Sequence, residues 1–218
     1  LQKNTGIINV PLLAKPNPPK RFKTLDKESL APYFPETSLD TVFHWMQSHP
    51  LQLIITRERA TKSGDYRPPD KEKPYHRISV NHNLNKYAFL ITFTHEYAHL
   101  ITWNAFKRKA RPHGDEWKAN YRSLVFFLLE KNIFPPDLSH ALVKIFVKNG
   151  EPVHAAEYNL TLTLAKYDTN ATIEFLEELA PDSVFSIHNG LVFRKGEKLR
   201  TRYKCFCLNN KRWYLINA

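Results

Sequence analysis

The segment Thr94-His95-Glu96-Tyr97-Ala98-His99-Leu100 constrains this chain more than any other. It lies inside an apolar run, with Tyr87-Ala88-Phe89-Leu90-Ile91-Thr92-Phe93 before it and Leu100-Ile101-Thr102-Trp103 after it. The run reads as a helix from about Lys86 to Phe106. Residues four apart stack on one helix face, so His95 and His99 can reach one metal ion. Glu96 cannot share that geometry. It can reach a water on the metal, where a carboxylate serves as general base. Two histidines on an apolar helix can also be ordinary core residues. Here nearly every face of the helix is apolar, so it is expected to be buried. Two imidazoles and a carboxylate in a buried helix are costly unless something satisfies them, and a metal does so.

A third ligand must come from elsewhere, because a catalytic zinc takes three protein ligands and keeps one position open. Position 105 is Ala, so there is no third His six residues after the second. The first candidate is His113 in Pro112-His113-Gly114, where the chain breaks and can fold back. Asp115 and Glu116 are alternatives, although acids in a first helical turn already have a structural reason to be there. Trp117, Tyr121, Leu124, Val125 and Leu128 give that following helix a core face.

The rest of the chain frames this helix. Residues 1–24 are rich in Pro and Lys and read as an extended arm. Short helices are expected over 27–33 and in a segment started by Pro35-Glu36-Thr37-Ser38. Leu51–Thr56 reads as a strand, and His76-Arg77-Ile78-Ser79-Val80 as a second one that presents a sheet edge to substrate. The polar connection 57–75 is long enough to suggest a functional loop. Tyr75, His76 and Arg77 are candidates to steady an oxyanion. Helices follow after Pro136 and, by periodicity, over 152–168, with a short helix or turn at 172–180. The tail is β-rich: Val184–His188 and Leu191–Phe193 flank Asn189-Gly190, and Leu199–Leu208 and Lys211–Ile216 flank Asn209-Asn210.

The formal charge is +11, from 32 basic and 21 acidic side chains, a surplus that suits a polyanionic partner. Residues 190–218 hold eight Lys or Arg against Glu197 alone. Arg200, Arg202 and Lys204 share one face of the tail strand, with Trp213 and Tyr214 available for base stacking. Lys107, Arg108, Lys109 and Arg111 form a second basic run between the last two ligands. DNA, single- or double-stranded, is the expected nucleic acid. No window is long and apolar enough for a membrane helix. The two cysteines, Cys205 and Cys207, are expected to point to opposite faces of a strand and to stay unpaired, which implies a reducing, cytoplasmic setting.

His95-Glu96-Tyr97-Ala98-His99 is the zincin signature. Followed by Pro112-His113-Gly114-Asp115-Glu116-Trp117, it resembles the SprT-like metalloprotease family, which includes the DNA–protein crosslink protease Spartan. The likeness extends upstream to Ile78-Ser79-Val80-Asn81 and Leu84-Asn85, over roughly residues 37–130. It implies one zinc per chain, held by His95, His99 and His113, with Glu96 as catalytic base. Many bacterial relatives end in a four-cysteine ribbon; two cysteines here imply a β module held by packing instead.

The expected fold is α+β: a mainly helical zincin-like domain with a small sheet over 25–170, then a small antiparallel β module over 171–218. The expected function is zinc-dependent peptide hydrolysis on proteins associated with DNA. One rival is a nucleic-acid-binding protein with a vestigial or structural metal site. Another is a hydrolase of nucleic acid itself, for which a single three-His zinc suits the chemistry poorly.

Overall fold

A computed structural model describes residues 25–59, 61–146, 153–168, 176–187 and 191–217. The expected N-terminal arm, the Asn189-Gly190 turn and most of the 172–180 segment lie outside the described residues. The chain divides into two compact units, the first ending at Thr169 and the second beginning at Asn170. The architecture is α+β.

The first unit is built on one central helix. Helix α1 (Lys27–Leu30) is capped by Asp26, whose carboxylate accepts from Ser29 N at 2.9 Å. Helix α2 (Leu39–Gln47) leads into β1 (Leu51–Thr56). Strands β2 (Gly64–Arg67) and β3 (His76–Asn81) follow, then α3 (Lys86–Phe106). Helices α4 (Asp115–Glu130), α5 (Pro136–Phe146) and α6 (Val153–Ala165) complete the unit. Asn85 fixes the start of α3. Its side-chain oxygen accepts from Tyr87 N and Ala88 N, and its amide donates to Leu164 O and Asp168 Oδ1 near the end of α6.

Helix α3 is apolar all round and is buried accordingly. Phe89, Leu90, Phe93, Ala98 and Leu100 are fully buried. Phe34 meets Phe89 and Phe93 edge-on, with centroids 4.9 and 5.4 Å apart. Trp45 of α2 stacks on Tyr97 at 5.0 Å. Fully burying each such side chain contributes about 1.5–3 kcal/mol. That packing holds α3 as a rigid platform for the polar residues it carries.

The sheet order is β1-β3-β2, with β3 parallel to β1 and antiparallel to β2. The expectation that His76, Arg77 and Ile78 form an exposed edge is therefore corrected. Strand β3 is central, with Ile78 and Val80 fully buried, and both of its edges are paired. The edge is supplied instead by β2, from inside the segment read as a polar loop.

The second unit is an antiparallel sheet of β4 (Val184–Ser186), β5 (Val192–Arg194), β6 (Arg202–Cys207) and β7 (Trp213–Asn217), paired in that order. Its core is Phe193, Tyr203, Cys205, Cys207 and Leu176. The two cysteines lie on the same face, not on opposite faces, because side chains on a strand repeat every second residue. They are free. About 6.7 Å of strand separates them and their side chains stand side by side, which is poor geometry for a bridge. Lys195, 5% exposed, donates to Leu179 O and sets its ammonium 4.5 Å from the Tyr203 ring centre.

Candidate metal centre

His95 and His99 project from the same side of α3, one turn apart. His113 reaches them from the turn before α4. The Pro112-His113-Gly114 sequence makes this possible: His113 adopts φ 56°, a left-handed conformation that lets the chain reverse. Gly114 N then donates to Arg111 O at 3.0 Å and closes the turn.

The three imidazoles meet through their Nε2 atoms. His113 Nε2 lies 3.0 Å from His95 Nε2 and 3.1 Å from His99 Nε2. One shared proton can satisfy only one of these contacts, so the cluster concentrates lone pairs with too few donors. A zinc about 2.0–2.1 Å from each nitrogen in tetrahedral geometry would set the nitrogens about 3.3–3.4 Å apart, close to the observed spacing. Burial first, and then the charge of neighbouring histidines, lowers His95 and His99 to about 4, so both are neutral donors at neutral pH. These residues fit a zinc ion. Asp115 and Glu116 are exposed on the first turn of α4 and stay outside the cluster.

Trp117 holds the cluster from below. Its ring lies 4.6 Å from His95, 5.2 Å from His99 and 4.6 Å from His113, centre to centre. Tyr121 extends that wall, 5.0 Å from Trp117 and 5.5 Å from His95. Tyr66 of β2 lies on the other side, its ring within 9° of parallel to that of His99 at 6.0 Å. Its hydroxyl meets His76 Nδ1 at 2.8 Å.

Glu96 is 8% exposed and lies beneath β2. Burial and then the Asp65 charge push its carboxyl up to about 7, with Lys62 and Arg59 opposing. Glu96 and the three histidines line one cleft of about 850 Å³, together with Gly64, Tyr66, Trp117 and Tyr121.

Residues 36–138 match the SprT-like family. The chain carries a SprT-like domain. The family is of the metallopeptidase type, and the matched span contains Glu96 and all three histidines. No curated protein and no solved structure gives a significant match.

The SprT-like domain brings together some of the other sequence candidates and not the rest. Lys107, Arg108 and Arg111 line the cleft; Lys109 is exposed outside its lining. Tyr75 and His76 are buried away from the cleft, and Arg77 donates to Asp70 Oδ2 at 2.6 Å and to Pro68 O at 3.1 Å. None of the three lines the cleft. In the second unit Arg202 and Lys204 lie on the exposed face of β6, and Arg200 precedes the strand. Sequence reasoning missed Gly64 and Tyr66. The only signal for them was Gly64-Asp65-Tyr66-Arg67, a four-residue strand half made of charges. No helix among the described residues is long and apolar enough to cross a membrane.

Proposed function

We propose that the SprT-like domain is a zinc-dependent metallopeptidase acting on proteins associated with DNA. The observation that carries this reading is the convergence of three Nε2 atoms within about one zinc coordination sphere, with Glu96 in the same cleft. His95, His99 and His113 would hold the zinc ion, which would supply a Lewis acid and lower the pKa of water toward neutrality. Glu96 takes a proton from the attacking water and returns it to the leaving amine. A structural site would have no use for a buried carboxylate in that position. Strand β2 offers its free edge along the cleft, where an extended peptide can pair by main-chain hydrogen bonds.

Two features support a DNA-linked substrate. Lys107, Arg108 and Arg111 bring positive charge to the cleft. In the second unit, Arg194, Phe206 and Trp213 are direct cross-strand neighbours on one face, beside Lys204 and Leu215. Trp213 is 59% exposed, and Lys204 Nζ sits 5.3 Å from its ring centre. Exposed aromatics among cations suit base stacking with phosphate contacts.

The test is metal content together with cleavage of a DNA-bound protein. One zinc per chain, lost in His113→Ala, and cleavage abolished in Glu96→Gln with zinc and DNA binding retained, is the expected result. Cleavage unchanged in Glu96→Gln sinks the mechanism. Zinc and DNA binding without any hydrolysis makes the site structural.

A further inference from the structure

Gly64 is the position where β2 touches the catalytic carboxylate. A Cβ built there would stand 2.6 Å from Glu96 Oε1, 2.9 Å from Glu96 Cγ and 2.7 Å from Thr92 Cγ2. All three are closer than side-chain atoms tolerate. The φ angle of Gly64 is not left-handed, so the backbone would accept any residue. What an added side chain would meet is the Glu96 carboxylate and the Thr92 methyl.

The strand cannot simply retreat. Gly64 pairs with Val80 on the central strand. The residues before it are held by Asn81, whose backbone N–H donates to Ser63 O at 2.9 Å and whose amide donates to Lys62 O at 3.0 Å. Arg59 braces Asn81 in turn, its Nε donating to Asn81 Oδ1 at 2.8 Å. On the other side, α3 is fixed by its buried aromatic face. Between two anchored elements, the movable part is the Glu96 side chain.

We infer that Gly64 is a positioning residue for Glu96: its missing side chain is the space in which the carboxylate sits beside the metal centre. Any larger residue displaces that carboxylate while leaving the three imidazoles in place. This rests on the reading of Glu96 as the proton-accepting group.

The test uses the zinc-loaded full chain and acetohydroxamate, followed by calorimetry. A hydroxamic acid gives up its O–H proton on chelating a metal, and a carboxylate beside the metal accepts it. Gly64→Ala is expected to keep one zinc per chain and a melting temperature near that of wild type. It should weaken acetohydroxamate by about tenfold to a hundredfold, the loss of one charge-assisted hydrogen bond, and Glu96→Gln should weaken it alike. Adding Thr92→Ser, which relieves the other close contact, should not restore binding. Wild-type affinity in Gly64→Ala overturns the inference, as does full rescue by Thr92→Ser. Wild-type protein that loads zinc but binds no hydroxamate defeats the proton-acceptor reading of Glu96 itself, and the inference with it.

Discussion

His76 gives the fold a pH dependence that can be calculated. It is 3% exposed, and Tyr66 O–H meets its Nδ1 at 2.8 Å. Burial above all, then the nearby His49 and Lys107 charges, lowers it from 6.5 to about 4, with Asn104 partly opposing. As pH falls, the unfolded chain takes up this proton first. The stability that neutral His76 contributes is therefore fully present above about pH 6.5 and is lost as pH falls toward 4. Between about pH 7.5 and pH 5 the loss amounts to about 2 kcal/mol. The assay is urea unfolding of metal-free wild type and His76→Gln at those two pH values, followed by tryptophan fluorescence. His95 and His99 are lowered as well, but they contribute equally to both proteins and cancel in the difference. Wild type should lose about 2 kcal/mol more than the variant on acidification. Equal losses refute the assignment of a neutral, acid-sensitive imidazole to this position.

Three further outcomes are expected. Tyr66→Phe keeps the ring beside His99 but removes the bond to His76, so it should lower stability by about 1 kcal/mol in urea unfolding and leave zinc content unchanged. Trp117→Ala removes the wall shared by all three imidazoles and should destabilise by about 3–5 kcal/mol, with weaker zinc retention against a chelator. Trp213→Ala should weaken single-stranded DNA binding by about 1–3 kcal/mol in a fluorescence titration while leaving its salt dependence nearly unchanged.

Helix α3 was legible because its signal is long and its polar residues are out of place in an apolar run. His113 was legible because a Pro-His-Gly break offers a return path. That the neighbouring acids stand apart from the imidazole cluster is visible only in the fold, where they face solvent on α4. Strand β2 was hidden because it is four residues long and takes its order from pairing with β3, a partner outside its own window. Without β2, the strand 76–80 looked like an edge, and the residues that flank Glu96 and His99 could not be assigned. Trp117 and Tyr121 were read as core at helical spacing. They are core, and the surface they cover is made of the clustered imidazoles.

The three candidate ligands differ in how they are delivered. His95 and His99 come pre-assembled on a packed helix, so binding through them spends almost no chain entropy. His113 is exposed and lies 14 residues beyond His99, on a turn that must be held in a left-handed conformation. Helix α3 holds the chain as far as Phe106, so only the short stretch beyond it decides where the third imidazole stands. Whether the triad is complete therefore depends on the rigidity of a surface turn.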